Sequence, residues 1–499
     1  MQKNILEYLE ETVKHYPDKI AFSNGKEHLS FGELYSSSRA IGSFLSENGF
    51  YGEPIAVIMD KHPKTIAAFM GIIYAGCFYV CIDEKMPEAR MSAIFEKLSP
   101  RAIICDKKNK KTAELMSPEQ IFEYDDLAVS RINDSALLKI REKQSSTDAI
   151  YVVFTSGSTG TPKGVVACHR SVIDYTETLC QALEFGDNTV FGNQTPLYFD
   201  APLKEIMPTL KLGATTYFIP KMLFSFPVKL IEYLDENRIN TVCWVVSALV
   251  QISSLGALEA HTPKYITTVA FGSELFPRKD YDMWRVALPE ARFFNLYGPT
   301  EATGMSCYWA ADRELLPDEP IPIGRPFDNT DIILLDDDNK RSEQGEICIR
   351  GTCLTMGYYN DKERTDAVFV QNPLNTAYPE LIYRTGDIGR VNDRGELVFL
   401  CRKDSQIKHM GHRIELGEIE AAALRCSGIR KSCCVYDSNA KRIVLFFVGE
   451  KDALSLNKEL QSYLPRYMLP TITEQLTELP FTTNGKIDRK GLRERAEKM

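Results

Sequence analysis

The sequence predicts an α/β protein: a large body of layered sheets and helices over residues 1–401, followed by a small α+β domain over residues 405–499. Three observations carry this expectation. Apolar runs of strand length alternate with helical patterns through roughly the first 400 of the 499 residues, the signature of largely parallel sheets covered by helices. Hydrophobic residues make up 44 % and charged residues 25 %, a balance that can bury a large core. After Arg402-Lys403-Asp404 the texture changes to helix, two apolar strands and helix within about a hundred residues, the size of a small domain.

The elements follow in order. Ile5, Leu6, Leu9 and Val13 recur at helical spacing among charges, so the first segment reads as an amphipathic helix and not as a secretory signal. Residues 55–59 and 102–105 read as buried strands, and 63–75, 91–98 and 227–236 as helices. The uncharged stretch 66–82 approaches the length of a membrane span. Gly71 and Gly76 interrupt it and Asp83-Glu84-Lys85 follows, so a buried helix and then a buried strand are expected. In the last hundred residues, 417–426 and 454–464 read as helices, and 433–436 and 443–448 as strands joined by a turn at 437–440.

The net charge of −9 is spread along the chain without a basic block, which argues against a nucleic-acid or anionic-membrane partner. Thirteen cysteines sit mostly in apolar runs with no C-x-x-C pair. They read as reduced core residues of a cytoplasmic protein, not as a disulfide framework or a zinc site.

The most informative segment is Phe154-Thr-Ser-Gly-Ser-Thr-Gly-Thr-Pro-Lys-Gly164. Thr155, Ser156, Ser158 and Thr159 offer hydroxyls, Gly157 and Gly160 let backbone N–H groups close on an anion, and Lys163 brings a mobile positive charge. The run lacks the Gly-Lys-Ser/Thr ending of a Walker A loop. It lies between two apolar, strand-like stretches, which favours an anion site over a solvated turn.

Other motifs accompany it. They are Leu29-Ser-Phe-Gly-Glu-Leu34, Tyr74-Ala-Gly-Cys-Phe-Tyr-Val80, Tyr198-Phe-Asp-Ala201, Asn295-Leu-Tyr-Gly-Pro-Thr-Glu301, Gly345-Glu-Ile-Cys-Ile-Arg-Gly351 and Tyr383-Arg-Thr-Gly-Asp387. Arg402-Lys-Asp-Ser-Gln-Ile-Lys408, Leu464-Pro-Arg-Tyr-Met-Leu-Pro470 and Asn484-Gly-Lys-Ile-Asp-Arg489 complete the set. Together the series resembles that of the amino-acid adenylation domains of nonribosomal peptide synthetases. It also resembles the stand-alone D-alanine–carrier-protein ligases of the same adenylate-forming superfamily.

The resemblance implies the adenylate-forming enzyme fold, with a small mobile C-terminal lid hinged at residues 402–404. It implies binding of ATP with Mg²⁺, attack of an amino-acid carboxylate on the α-phosphorus to give aminoacyl-AMP, and transfer to the phosphopantetheine thiol of a carrier protein acting in trans. Positioning and charge neutralisation would dominate such chemistry. Thr155, Ser156, Gly157, Ser158, Thr159, Gly160 and Lys163 would handle the phosphates. Tyr297 would lie on the adenine face with Asn295 at its polar edge, in a segment completed by Leu296, Gly298, Pro299 and Thr300. Glu301, with Thr155, would hold Mg²⁺. Asp387 would take the ribose hydroxyls, supported by Arg402 and Phe399. Lys486 would bridge the attacking carboxylate and the α-phosphate, and Asp404 would be the hinge residue.

Asp200 separates amino-acid activation from fatty- or aryl-acid activation, because a carboxylate in a pocket calls for the substrate ammonium. It could also cap the helix that follows. Phe199 would border the carboxylate channel. The pocket lining implied by register is Asp200, Ala201, Lys204, Trp244, Val269, Phe271, Leu296, Gly304 and Met305, reached by Lys486. Trp244 and Phe271 would make it short, which suits a small amino acid; Lys204 would either snorkel outward or pair with an acidic side chain. D-alanine activation is the alternative, and an acyl-CoA or aryl-acid ligase a more distant one. Two departures stand out from the resemblance: Cys401 where a glycine usually precedes the hinge arginine, and His409-Met410-Gly411-His412 in place of a more usual basic residue. His169 has no evident partner for chemistry and reads as structural.

Overall fold

The computed structural model describes residues 2–157, 162–317, 319–403, 406–481 and 487–499. The chain divides into two compact units. The first comprises Met1–Glu84, Ser99–Val153 and Val165–Cys401; the second comprises Lys85–Leu98, Phe154–Gly164 and Arg402–Met499.

Two sheets carry most of the first unit. In the nine-stranded sheet the strands Thr215–Phe218, Val190–Asn193, Thr241–Val245, Thr268–Gly272 and Arg292–Tyr297 are successive parallel neighbours. In the six-stranded sheet Gln120–Glu123, Ala102–Cys105, Pro54–Ile58, Phe78–Cys81 and Ala149–Thr155 pair in parallel, with Lys163–Cys168 at the edge. Each central strand is apolar on both faces, as expected of parallel sheets covered on both sides.

Local chemistry starts and stops the helices. Phe31–Glu47 opens with a capping box in which Ser30 and Glu33 exchange side-chain and backbone bonds. Pro63–Tyr74 opens with proline in its first turn and is buried along nearly its whole length. It runs through Gly71, as the helix expected over 63–75 requires, and the strand Phe78–Cys81 follows. A Cβ on Gly71 would come within 2.6 Å of the Ile41 side chain, and one on Gly42 within 2.4 Å of Tyr74 Cβ. These glycines let two helices cross closely. No helix among the described residues is long and apolar enough to cross a membrane.

Residues 330–402 depart from the parallel pattern. Thr330–Leu335, Gln344–Gly351, Phe369–Gln371, Leu381–Val391 and Leu397–Arg402 form an antiparallel sheet. Leu381–Val391 shows why: burial alternates along it, the mark of a strand with one face on a core.

In the second unit, Ile429–Asp437 pairs antiparallel with Arg442–Gly449, which pairs parallel with Ile472–Gln475. Helices Leu416–Arg425 and Ala453–Leu460 cover one face, where Cys434, Leu445 and Phe447 are buried. Helix Arg489–Ala496 covers the other, over Cys433, Val435 and Phe446. Neighbouring Cys433 and Cys434 thus point into opposite cores. The helix expected at 454–464 ends at Leu460, since Pro465 disfavours helical backbone before it. Gln406–His409 and His412–Glu415 make a hairpin closed by Met410 (φ 51°) and Gly411 (φ 77°). None of the thirteen cysteines is in a disulfide, and only Cys401 is exposed.

Candidate functional site

The strand Arg292–Tyr297 delivers its residues to a tight turn. Tyr297 carbonyl accepts the Ser306 N–H at 2.7 Å, and a Cβ on Gly298 would lie 2.5 Å from Met305 Cα, so only glycine fits after the tyrosine. Tyr297 is buried and its hydroxyl donates to Asp387 Oδ2 at 2.5 Å. Burial first, and then the Asp387 carboxylate, hold the phenol well above its usual range. Phe399 packs on the apolar cluster that contains Tyr297. Tyr297, Asp387 and Phe399 therefore converge. The Asn295 side-chain amide donates to the Pro322 carbonyl at 2.7 Å, so this donor serves the fold. Glu301 is fully buried and accepts the Tyr358 hydroxyl at 2.7 Å, while Thr355 bonds its carbonyl from both N–H and Oγ1. Sequence reasoning passed over Tyr358 and Thr355, which lie more than fifty residues downstream without a telling pattern.

Asp200 lies against the Thr300 hydroxyl. Burial raises its carboxyl above the usual range, while the Thr300 bond and the charge of Lys204 pull it down. It does not cap the next helix: Leu203–Leu212 starts from Pro202 with no side-chain cap. The Phe199 ring leans on Tyr198 with centroids 4.5 Å apart.

Lys204 is 3 % exposed, which settles its direction as inward. Among the described residues it acts on Asp200 and Glu205 through its field and not through a hydrogen bond. Its neighbour Glu205 is completely buried; one oxygen accepts from Asn193 Nδ2 at 3.3 Å and the other has no partner. Burial pushes its carboxyl up to about 8. The hydroxyls of Tyr151 and Tyr175, whose phenols feel the Asp200 charge, are likewise buried without partners.

Three residues of the expected lining pack apart from the others. Trp244, Val269 and Phe271 belong to a separate core cluster with Tyr281 and Trp284. Trp244 Nε1 donates to the Gly192 carbonyl at 2.6 Å. The Phe271 ring lies 4.9 Å from Phe276 and 6.0 Å from Tyr281. The opposite face of the same strands carries Cys243 and Ala270, which share a cluster with Tyr175, Leu296 and Met305. Gly304, in the left-handed region at φ 87°, places its Cα beside the Tyr175 ring. Strand side chains alternate, so a one-residue slip sends every one of them to the wrong face. Leu296 and Met305 share the cluster of Cys243 and Ala270, and Ala201 follows Asp200 in the chain. Trp244, Val269 and Phe271 do not share it.

In the second unit the loop offers Ser156, Gly157 and Lys163, of which Ser156 and Lys163 are buried. Thr155 Oγ1 is buried without a partner among the described residues. Ser158, Thr159, Gly160, Asp404 and Lys486 lie outside the described residues. Arg402 closes the strand Leu397–Arg402. His169 Nδ1 accepts the Ile5 N–H at 3.2 Å, and burial pushes its ring down to about 3, so it is neutral and structural.

Comparison with known proteins agrees with this arrangement. Residues 9–359 match the family described as AMP-binding enzyme. The chain is 30 % identical over 507 residues to zwittermicin A synthase ZmaJ of Bacillus cereus, covering 99 % of this chain and 95 % of that protein. It is 28 % identical over 504 residues to tyrocidine synthase 1 of Brevibacillus parabrevis, where it covers 99 % of itself but 45 % of the relative. The chain thus spans less than half the length of that synthase. Among solved structures, IdnL1 superimposes with a TM-score of 0.82 at 25 % identity, over 96 % of this chain and 99 % of that one. With a mixed α/β fold of this class and a buried Tyr297–Asp387 pair, the chain belongs to the AMP-binding enzyme family of adenylate-forming ligases.

Proposed function

We propose that the protein activates an amino acid with ATP and loads it onto a carrier protein. Asp200 is the observation that carries this reading. Its carboxylate, next to Thr300 and among unpartnered buried hydroxyls, is suited to an α-ammonium. The substrate carboxylate attacks the α-phosphorus and pyrophosphate leaves; the carrier's phosphopantetheine thiol then attacks the acyl carbonyl and AMP leaves. Tyr297, Asp387 and Phe399 would receive the nucleoside. Ser156, Gly157 and Lys163, with Ser158, Thr159 and Gly160, would receive its phosphates, and Thr155 Oγ1, which has no hydrogen-bond partner among the described residues, would donate to the same end. Glu301 offers the hard carboxylate oxygen that suits Mg²⁺, an ion usually held by one or two carboxylates plus substrate phosphates. When bound, Mg²⁺ neutralises charge on the phosphate oxygens. Lys486 would stabilise the charge developing at the α-phosphate, and Asp404 would be the pivot between the two half-reactions.

For the side chain we favour a short acidic group. A wall formed by Cys243, Ala270 and Gly304 would be small, and Lys204 is a buried cation whose field reaches Asp200, the carboxylate that the substrate ammonium would take up. D-alanine is the second reading, favoured by the same small wall. Asp200 weighs against an acyl-CoA or aryl-acid ligase. A pyrophosphate-exchange panel of L- and D-amino acids with their des-amino analogues tests both levels. Aspartate or glutamate should lead and lose activation selectively in Lys204→Met. Leading activity with alanine, and a silent Lys204→Met, would overturn the acidic assignment, and preference for a des-amino acid would overturn amino-acid activation itself.

A further inference from the structure

Glu418 makes a contact that the roles above leave unused. It lies in the first turn of helix Leu416–Arg425, with its side chain 3 % exposed. One carboxylate oxygen is ion-paired with Arg90 of helix Glu88–Leu98, itself almost fully buried. The other oxygen accepts the backbone N–H of Gly157 at 3.3 Å. Next to it, the Ser156 hydroxyl donates to the Arg413 carbonyl at 2.7 Å. All of these residues belong to the second compact unit.

Two consecutive residues of the phosphate loop are therefore engaged by acceptor oxygens of the chain itself. Carboxylate and phosphoryl oxygens are equivalent acceptors for a backbone N–H in such a nest. A carboxylate so deeply buried needs a cation, and Arg90 supplies one while keeping its Nε without a partner. The chain brings together a loop built for anions, an anion of its own, and a counter-ion that makes that anion tolerable there.

We propose that Glu418 is a positioning residue that holds the phosphate loop in a nucleotide-free arrangement, with its carboxylate on the Gly157 N–H that a phosphate oxygen of ATP takes up. ATP and Glu418 then compete for one donor. Nucleotide binding frees the Arg90–Glu418 pair from the loop, and departure of pyrophosphate lets it return. Glu418 touches no reacting atom; it sets how readily the loop accepts ATP and gives up pyrophosphate. The inference rests on the adenylation reading, since it requires ATP to be the loop's ligand.

The test is titration of the full-length protein with ATP and Mg²⁺, without amino acid, by calorimetry. Glu418→Gln replaces a charged acceptor with a neutral one and should tighten ATP binding by roughly 3–10-fold, the scale of one net hydrogen bond. That variant leaves Arg90 buried without its anion, so the double variant Arg90→Met/Glu418→Met serves as the folded control, because apolar replacement of a whole buried pair is often tolerated. It should tighten binding as well. In the unmodified protein, ATP should increase amide hydrogen exchange across residues 413–418. A purely structural ion pair would lower the melting temperature of Glu418→Gln while leaving ATP affinity unchanged or weaker. That result in a folded variant, or unchanged exchange at 413–418 on saturation with ATP, overturns the proposal. No binding of ATP by the unmodified protein would instead tell against the adenylation reading.

Discussion

Replacing Asp200 by alanine is the most direct probe of what the site recognises. In the free protein Asp200 bonds the Thr300 hydroxyl and feels the charge of Lys204. Without it, an incoming α-ammonium loses its anion and meets the buried Lys204 cation instead. Truncating one partner of a buried, hydrogen-bonded charge pair costs about 2–5 kcal/mol. At about 1.36 kcal/mol per tenfold, that is a loss of about 30- to 5,000-fold in kcat/KM. The added repulsion from Lys204 places the expected loss in the upper part of that range. The assay is amino-acid-dependent pyrophosphate exchange at saturating ATP, with ATP affinity measured separately as a control that should barely move. The carboxyl also gives a pH signature. Burial raises its pKa, and only the ionised form holds the ammonium, so kcat/KM should fall as pH drops through that raised value. Asp200→Asn, which keeps a partner for Thr300, should flatten this limb. A loss under threefold, or equal activation of the des-amino analogue, would refute the assignment of Asp200 to the substrate ammonium.

Two other substitutions have worked consequences. Phe271→Ala should cost about 3–5 kcal/mol of stability and leave the ranking of amino acids unchanged, whereas Ala270→Val, on the opposite face, should alter that ranking; wider substrate scope in Phe271→Ala at normal melting temperature would restore the register read from sequence. Glu205 holds its proton up to about 8 against an ordinary 4.5, so its folded state is the better proton binder and its contribution to stability falls as pH rises between those values. Glu205→Gln should be neutral near pH 5 and stabilising by at most about 5 kcal/mol at pH 8, and thermal melts with the same difference at both pH values would contradict this.

Much of the fold was legible because local rules agreed with the tertiary structure. The strand Ala102–Cys105 and the helix Pro227–Glu236 have the bounds read from the sequence. Tyr297 and Asp387 stand in motifs whose glycines and prolines constrain the backbone, but the bond between them is visible only in the structure. The pocket wall was not legible in the same way. Thr241–Val245 and Thr268–Gly272 are buried at every residue, so hydrophobicity does not alternate and cannot say which face a residue takes. Spacing from a motif then carries the whole assignment, and an error of one residue exchanges Cys243 for Trp244 and Ala270 for Phe271. The burial of Glu205 was hidden for a related reason: a charged pair early in a helix ordinarily reads as solvated. Arg90 and Glu418 are 328 residues apart, beyond the reach of any local pattern. The antiparallel sheet after residue 330 escaped because glycines and charged residues within its long strands, Gln344–Gly351 and Leu381–Val391, interrupt the apolar pattern.

The distribution of thiols gives the protein a built-in reporter. Every cysteine but Cys401 is withdrawn from solvent to some degree, and burial raises the thiols of Cys77, Cys81 and Cys243 among others. A maleimide dye or nitroxide should therefore label the native protein at one position without cysteine-depleting mutagenesis. That position immediately precedes Arg402-Lys403-Asp404. A fluorophore there would sense rotation about the proposed pivot in real time, and the rate at which its signal changes on mixing with ATP, and again on adding carrier protein, would give the motion a clock.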